Sequence, residues 1–233
     1  MKITVVIPAR NEEECIGEVV AGVLAAAECD VIVVDNGSTD GTAAVAVGAG
    51  ARVVSTPRPG YGRACAAGAE DAMAAGAELL VFTDGDGSDG PEDVSALLAA
   101  IEAGADLVFG VRRGTGVERG SIAPAARFGN WLCGWLFRIG WGRRIHDLSP
   151  LKAIRADAYR RIAPREMTYG WTIELIARAL SAGLDVREVE VGYRRRRGGE
   201  SKVSGNARAS VVAGWRILST VGRVWWRGRR RAS

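Results

Sequence analysis

Residues 78–91 read Glu78-Leu-Leu-Val-Phe-Thr-Asp-Gly-Asp-Gly-Ser-Asp-Gly-Pro91, an apolar run that ends abruptly in acids and glycines. The run at 79–82 predicts a buried strand, and the glycines after it leave no side-chain bulk over Asp84, Asp86 and Asp89. Ligands of open α/β sheets bind at the carboxyl ends of the strands, which is where these acids lie. The stretch therefore predicts carboxylates that face a cation beside a bound substrate.

The simplest such cation is a hard divalent metal, Mg²⁺ or Mn²⁺, held by Asp84 and Asp86 and completed by phosphate oxygens of the substrate. The alternative is an acidic turn that caps a helix beginning at Pro91, with Asp89 as its N-cap. Capping needs only one acid, so we predict that Asp89 caps the helix and that the other two face the metal. The residue spacing of a calcium-binding EF-hand loop is absent here.

The composition indicates one globular domain with an anionic partner. A chain of 233 residues can bury one sizeable core, with or without an appendage. The net charge of +4 conceals a strongly basic second half, because acids concentrate before about residue 110 and arginines after it. Such a half is expected to face phosphates, nucleic acid or an anionic membrane surface.

Several classes of protein are disfavoured. The four cysteines lack metal-like spacing and no signal peptide precedes the first predicted strand, so we expect reduced thiols in the cytoplasm. One histidine, His146, leaves little for a histidine-rich metal site or a Ser-His-Asp triad. No apolar run reaches the roughly 18–20 residues of a membrane-spanning helix, so any membrane contact is expected to be peripheral.

Strands and helices alternate along the chain, which predicts an α/β fold with a mainly parallel sheet covered on both faces. The predicted strands are residues 3–8, 31–34, 52–55, 79–82, 106–110, a returning strand that ends at 154, and 186–191. The predicted helices are residues 11–27, one after residue 41, 63–75, 91–103 and one that begins at residue 170.

Three predicted strands end in polar clusters that contain glycine, at residues 35–41, 60–63 and 84–90. Three such clusters at one edge of a parallel sheet outline a cleft for a nucleotide, with backbone N–H groups available to its phosphates. The G-x-G-x-x-G fingerprint and the P-loop are both missing, which argues against dinucleotide dehydrogenases and NTPases.

Taken together, the motifs resemble glycosyltransferase family 2 enzymes of GT-A fold, and within them the polyprenyl-phosphate (dolichyl-phosphate) mannose and glucose synthases. They span about residues 3–205 in the family's order. The matching pieces are Ile7-Pro-Ala-Arg-Asn-Glu12, Asp35-Asn-Gly-Ser-Thr-Asp40, Gly60-Tyr-Gly62, the D-x-D at Asp84 and Asp86, Asp147-Leu-Ser-Pro150, Gly170-Trp-Thr-Ile-Glu174 and an arginine-rich Gly-Gly-x-Ser-Lys segment at 194–202.

The resemblance implies an inverting, metal-dependent transfer of a hexose from a nucleotide-diphosphate sugar to a polyprenyl phosphate, by a GT-A domain at residues 1–204. Asp35 is expected on the base or ribose, Asp84 near the ribose, and Asp86 on the metal-bound diphosphate. The residues expected to bind the nucleotide-sugar are Pro8, Arg10, Glu12, Asp35, Gly62, Arg63, Asp84 and Gly85.

Basic residues of the second half are expected to hold the acceptor phosphate or the donor diphosphate, because guanidinium groups match phosphate oxygens. The glycines at 198 and 199 would let the arginine-rich segment move as a lid. The alternative for this segment is a solvated face or a nucleic-acid patch, and we expect no nucleic-acid partner. The residues concerned are Arg112, Arg194, Arg196, Ser201 and Lys202.

Glu174 is the candidate base for an acceptor hydroxyl, with Asp89 in reserve, and together with Asp86 they form the expected catalytic set. An acid that favours a helix N-terminus is an equal explanation of Glu174. A phosphate acceptor needs no base, because it is already ionised near neutral pH. Trp171 would either stack on the sugar or pack in the core.

Residues 205–233 form a second unit, predicted to be an amphipathic helix rich in tryptophan and arginine with a basic tail. Such a helix suits an anionic membrane surface, and packing on the domain, on a second copy or on a membrane partner protein is an equal alternative. We thus expect a cytoplasmic protein at the membrane face. The rival functions are transfer to the hydroxyl of a soluble or cell-envelope acceptor, and anionic-surface or nucleic-acid binding by a degenerate transferase fold.

Overall fold

One seven-stranded sheet runs through the protein in the computed structural model, which describes residues 1–196 and residue 222. The strand order is β3-β2-β1-β4-β6-β5-β7. The strands are β1 (Ile3–Ala9), β2 (Asp30–Asp35), β3 (Arg52–Ser55), β4 (Leu79–Phe82), β5 (Leu107–Val117), β6 (Lys152–Arg155) and β7 (Val186–Tyr193).

Every strand except β6 runs in the same direction. Strands β3, β2, β1 and β4 pair in parallel, as do β5 and β7, and β6 lies antiparallel between β4 and β5. The prediction of a mainly parallel sheet is therefore confirmed. The carboxyl ends of the six parallel strands and the start of β6 share one edge of the sheet, so the loops at that edge meet.

Helices cover both faces of the sheet. They are α1 (Ile16–Ala26), α2 (Thr42–Gly48), α3 (Tyr61–Ala74), α4 (Val94–Glu102), α5 (Pro124–Trp141), α6 (Ala156–Ile162) and α7 (Trp171–Ser181). Alternate residues of β4 enter different cores: Leu80 and Phe82 pack with α3, α5, α6 and α7, whereas Leu79 and Val81 pack with α1, α2 and α4. Burial on both faces explains why this strand is wholly apolar.

The boundaries differ from prediction at several elements. Helix α1 begins at Ile16 instead of residue 11, and Asn11 itself is excluded from a right-handed helix because it has a φ of 53°. The chain from Pro91 first forms a short 3₁₀ turn, and β5 continues to residue 117. Helix α6 was not predicted.

The predicted division at residue 204 remains a prediction, because it lies outside the described residues. Of the predicted C-terminal helix only Gly222 is described, and that residue is helical. None of the described helices is both long enough and apolar enough to cross a membrane.

Candidate active site

The loop that follows β4 and carries the three acids is held by hydrogen bonds between its own residues. The Oδ1 atom of Asp86 accepts hydrogen bonds from the Ser88 backbone N–H at 3.0 Å and the Ser88 hydroxyl at 2.5 Å. The Oδ2 atom of Asp89 accepts from the Thr83 hydroxyl at 3.0 Å and the Asp84 N–H at 3.2 Å. The carboxylates are therefore held at fixed positions at the carboxyl edge of the sheet.

The prediction that Asp89 caps the helix at Pro91 is wrong. Gly90 occupies the cap position of the 3₁₀ turn, and no side chain makes a capping hydrogen bond there. Asp89 instead turns back to bind Thr83 and Asp84, and its other oxygen, Oδ1, is buried without a hydrogen-bond partner in the described structure. Asp89 thus belongs to the acidic cluster and not to the helix.

Burial raises the pKa of two acids of this loop, Asp84 and Asp89. Burial raises the pKa of Asp84 to about 8, and repulsion from Asp86 and Asp89 contributes in the same direction. Burial also raises the pKa of Asp89 to about 6. The buried Lys152 on β6 opposes the shift at Asp84, but it does not cancel it. The cluster would therefore gain from a further positive charge.

The donor set fits a divalent ion that arrives with a diphosphate. Within the described ranges, no group of three or more His, Cys, Asp or Glu side chains is placed to hold a metal ion by itself. Mg²⁺ is commonly held by one or two carboxylates together with substrate phosphates, and oxygen ligands also suit Mn²⁺. That Asp86 supplies a ligand, with Asp84 beside it, stays a prediction from the D-x-D spacing.

The loops after β1 and β2 are tied to each other across the neighbouring cleft. Asn11 Oδ1 accepts a hydrogen bond from the Thr39 N–H at 2.8 Å, and the Glu12 N–H donates to the Thr42 hydroxyl at 2.9 Å. Asp35, at the end of β2, accepts from the Ser38 N–H at 2.9 Å in a tight local turn. The predicted nucleotide residues of these loops are thus neighbours, with Pro8 and Glu12 buried and Arg10 exposed.

A third loop, at the start of α3, joins this group through a residue that the sequence did not single out. Asn36 Oδ1 accepts a hydrogen bond from the Gly60 N–H at 2.8 Å. Gly62 must be glycine, because a Cβ atom there would collide with the Glu166 carbonyl oxygen. Arg63 donates its backbone N–H to the Met167 carbonyl at 3.1 Å.

Gly85 brings the acidic loop against the end of β1 and the start of α1. A Cβ atom on Gly85 would lie 3.2 Å from the Ile16 side chain and 3.4 Å from that of Ala9. This contact is tighter than most side chains allow, so the glycine sets how closely the acidic loop approaches β1 and α1. The roles of Gly62, Arg63 and Gly85 in nucleotide-sugar binding stay predictions.

Glu174 is buried, and both oxygens of its carboxylate accept hydrogen bonds. Its carboxylate accepts hydrogen bonds from the backbone N–H groups of Arg165 and Glu166, at 2.6 and 2.5 Å, and from Arg178 Nε at 2.8 Å. These contacts anchor residues 163–170, the segment that packs on the Gly60 loop. The observed contacts are structural, and the role of Glu174 as a base stays a prediction.

Trp171 is a core residue and not a sugar-stacking one. Its side chain is completely buried, and its ring packs edge-on against Phe82 with 4.9 Å between the ring centroids. Of the two alternatives for this tryptophan, core packing is correct.

Arg112 organises the segment that contains Asp147. Its Nε and Nη2 atoms donate to the two Asp147 oxygens at 2.8 and 2.7 Å, and its guanidinium lies 4.6 Å from the centre of the Tyr193 ring. Both partners of the ion pair are nearly buried. Two of its three nitrogens are therefore occupied by protein, and binding of a phosphate by Arg112 stays a prediction.

The three described arginines that follow β7 form ion pairs with different acids. Arg194 pairs with Glu92, and Arg195 pairs with Glu118. Arg196 pairs with Glu12, and its Nε lies 3.6 Å from Asp86 Oδ2. The remaining residues of the predicted segment, including Ser201 and Lys202, lie outside the described residues.

Comparison with known proteins identifies the family. The model of "Glycosyl transferase family 2" matches residues 4–162, which is more than half of the chain. The chain belongs to glycosyltransferase family 2. The family, the GT-A fold and the class of enzyme predicted from the motifs are thus confirmed.

Relatives in the family are named for different activities. An uncharacterized glycosyltransferase of Mycobacterium tuberculosis is 40% identical, over 93% of this chain and 98% of its own length. A polyprenol monophosphomannose synthase of Mycolicibacterium smegmatis is 34% identical, over 94% and 89%. The crystal structure of glucosyl-3-phosphoglycerate synthase from M. tuberculosis, with Mn²⁺, UDP-glucose and phosphoglyceric acid, is 28% identical with a TM-score of 0.75, over 95% and 80% of the two chains.

An arginine-lined cavity that the sequence did not predict lies beside the D-x-D edge of this family 2 chain. It has a volume of about 290 Å³ and is bounded by β5, α5 and the loop before β6. Arg113, Arg127 and Arg144 line it, and none of their guanidinium groups makes a hydrogen bond or ion pair with the described residues. We call this cavity the arginine pocket. The three arginines come from separate parts of the chain, so no spacing could have revealed it.

The arginine pocket adjoins an exposed aromatic face on α5. Phe128, Trp131, Trp135 and Ile139 are each more than half exposed, and their spacing of three and four residues puts them on one side of the helix. Trp131 also lines the pocket. Apolar patches of this kind mark contact surfaces. The exposure of these aromatic side chains was not predicted from the sequence.

Proposed function

We propose that this glycosyltransferase moves a hexose from a nucleotide-diphosphate sugar onto a polyprenyl phosphate. The single observation that carries the proposal is the arginine pocket opening onto the aromatic face of α5. A pocket with three guanidinium groups that have no partner within the described part of the chain suits a phosphate, and the adjoining aromatic surface suits an apolar chain attached to it.

The donor lies between the loops after β1, β2 and β4. A divalent ion, when bound, stabilises the charge that develops on the departing diphosphate. Asp86 would hold that ion, Asp84 would lie near the ribose, and Asp35 would contact the base or ribose. Breaking the bond from the anomeric carbon to the diphosphate leaves positive charge on that carbon, and an acceptor oxygen attacks it from the opposite face with inversion.

The acceptor enters from the arginine pocket. Its phosphate is already ionised near neutral pH, so an oxygen can attack without a base. Arg113, Arg127 and Arg144 would fix that phosphate, and Arg112, held by Asp147, keeps the wall of the pocket in place. The relatives whose names include polyprenol monophosphomannose synthase and undecaprenyl-phosphate mannosyltransferase support a lipid phosphate as the acceptor.

A second candidate acceptor is the hydroxyl of a small phosphorylated acid. The observation in its favour is the similarity to glucosyl-3-phosphoglycerate synthase, whose crystal structure contains phosphoglyceric acid. An arginine pocket would suit that anion too. A hydroxyl, however, needs a base, and Glu174 is already engaged by three donors. The exposed aromatic face also has no use in binding such a small polar acceptor.

One assay separates the acceptors. Purified protein with Mn²⁺ or Mg²⁺ is incubated with a panel of nucleotide-sugars and either a short polyprenyl phosphate or 3-phosphoglycerate, and the products are identified by mass. We expect a glycolipid. Formation of product with 3-phosphoglycerate but not with the polyprenyl phosphate would contradict the proposal.

Arg127→Met tests the pocket within the same assay. It is expected to raise the acceptor KM about 10-fold or more with the donor KM unchanged, since it removes a charged contact to phosphate. Arg160→Met, at an exposed position on α6, makes the same substitution away from the pocket and is expected to change neither constant.

The aromatic face of α5 is also the proposed contact with the cytoplasmic face of an anionic membrane. Arg127 and Arg138 on the same helix are positively charged beside it, so lipid phosphates would complement the rim while tryptophans enter the interface. Packing of a second copy or of a membrane partner protein on this face is the alternative outcome.

Trp131→Ser combined with Trp135→Ser is expected to lower binding to vesicles that contain phosphatidylglycerol about 10-fold, because two interfacial side chains are lost. Vesicle flotation measures the effect. Val47→Ser, an equally exposed apolar position on α2, serves as the control and is expected to bind like the unaltered protein. Unchanged flotation of the double variant together with a smaller particle in light scattering would identify the face as a protein–protein interface.

A further inference from the structure

Arg196 points into the site, unlike its neighbours. Its side chain is 24% exposed, whereas those of Arg194 and Arg195 are 46% and 65% exposed and pair with surface acids. The segment that carries it is fixed at its start, because the Arg194 N–H donates to the Ser88 carbonyl at 2.8 Å. The segment that follows β7 therefore places the guanidinium group of Arg196 beside the acidic loop.

The two oxygens of Asp86 have different surroundings. Oδ1 is taken by the backbone N–H and hydroxyl of Ser88. Oδ2 faces Arg196, whose Nε lies 3.6 Å away, beyond hydrogen-bond range but within ion-pair range. A divalent ion that binds Asp86 without breaking the Ser88 contacts must use Oδ2, which is the oxygen that the guanidinium already faces.

Glu12 holds the guanidinium from the other side. Its carboxylate pairs with Arg196 Nη2, and only 6% of its side chain is exposed. Its backbone N–H is fixed by the Thr42 hydroxyl. Arg196 thus bridges the loop after β1 and the loop after β4, and a largely buried partner keeps it there.

We propose that Arg196 is an exchangeable counter-cation of the metal site. This inference rests on the proposed function for its metal and diphosphate. In the nucleotide-free protein the guanidinium neutralises Asp86, and a divalent ion can bind Oδ2 only after this pairing breaks, because two cations at one oxygen repel. The donor diphosphate offers the displaced guanidinium new acceptor oxygens.

Metal and nucleotide are therefore coupled through one side chain. When no nucleotide is present, the metal must displace Arg196 from Asp86 while the guanidinium gains no new partner. The metal alone therefore binds weakly. When the nucleotide is present the displaced guanidinium gains the diphosphate, so the metal binds more tightly, and by reciprocity the metal tightens the nucleotide. If Arg196 served only to bind nucleotide, its removal would weaken nucleotide binding and leave the affinity for metal alone unchanged.

The test measures metal binding and not turnover. Free Mn²⁺ is titrated by electron paramagnetic resonance with full-length protein for the unaltered protein, Arg196→Met and Arg195→Met. Each titration is made without nucleotide and with saturating UDP or GDP, whichever the unaltered protein binds. Arg196→Met is expected to bind Mn²⁺ alone about 10-fold more tightly and to show a smaller enhancement by that nucleoside diphosphate. Arg195→Met removes the same charge from the same segment but not from Asp86, so it is expected to behave like the unaltered protein.

Equal or weaker binding of Mn²⁺ alone by Arg196→Met, in protein with an unchanged melting temperature, would overturn the exchange. An equal gain in affinity for Mn²⁺ in Arg195→Met would also overturn it, because the effect would then come from the net charge of the protein. Failure of UDP, GDP and every other nucleoside diphosphate of the donor panel to bind any variant in the presence of Mn²⁺ is a different result. It would contradict the proposed function, whereas the comparison in metal alone would still decide the role of Arg196.

Discussion

Asp86→Asn is expected to lower kcat about 10²- to 10³-fold, because it removes the charge that would hold the divalent ion on the leaving diphosphate. The substitution keeps the shape of the side chain and the Oδ1 acceptor that binds Ser88. It changes the oxygen that faces Arg196, so the loss reports on charge and not on the fold of the loop. Initial rates across a series of Mn²⁺ concentrations measure it.

Two controls make the Asp86 result specific. Glu102→Gln removes an acid from an exposed position at the end of α4 and is expected to leave turnover unchanged. Vesicle binding by Asp86→Asn is expected to match that of the unaltered protein, since the aromatic face of α5 is on another element. A normal rate for Asp86→Asn would contradict the metal role of this acid. Absence of transfer by the unaltered protein with every donor would favour a binding protein on a degenerate fold.

The parts of the fold that the sequence predicted well are those decided by local pattern. Strands β3 and β4 have the predicted bounds, because each is a short segment with adjacent aliphatic residues that lies between turn-forming residues. The D-x-D acids were found for the same reason, since a strand end and its glycines are neighbours in sequence. Helix α6 was missed because its seven residues follow β6 directly, without a turn signal between them.

The parts of the site that the sequence missed depend on contacts between distant residues. Asp89 has the spacing of a helix cap, but the Thr83 hydroxyl and the Asp84 N–H compete for its carboxylate, and only the path of the loop decides the outcome. The pairing of Arg196 with Glu12 joins residues 184 positions apart. The arginine pocket likewise needs β5, α5 and the loop before β6 to meet.

Glu174→Gln is expected to reduce stability more than it reduces chemistry. The carboxylate accepts from two backbone N–H groups and Arg178, and a neutral amide leaves that partly buried guanidinium without its ion pair. The expected loss in free energy of unfolding is about 2–4 kcal/mol. Each kcal/mol lowers the melting temperature of a domain this size by about 2–4 °C, so calorimetry measures the effect directly.

The kinetic effect of the same change separates the two explanations of Glu174. If it anchors residues 163–170, loss of the anchor loosens the Gly60 loop, so the donor KM rises while kcat with a polyprenyl phosphate stays within about 10-fold. If it were the base for an acceptor hydroxyl, kcat would fall about 10²- to 10⁴-fold. Initial rates at saturating donor distinguish a rise in KM from a fall in kcat.

Arg178→Met provides the matched variant for Glu174. It breaks the same ion pair from the other side, and its side chain also donates to the Ile162 carbonyl at 3.0 Å, yet it removes no group that could accept a proton. An anchoring role predicts that Arg178→Met and Glu174→Gln share a lower melting temperature and a higher donor KM, with Arg160→Met unaffected. Loss of kcat in Glu174→Gln alone, at an unchanged melting temperature, would assign the proton transfer to Glu174 and make a hydroxyl the acceptor.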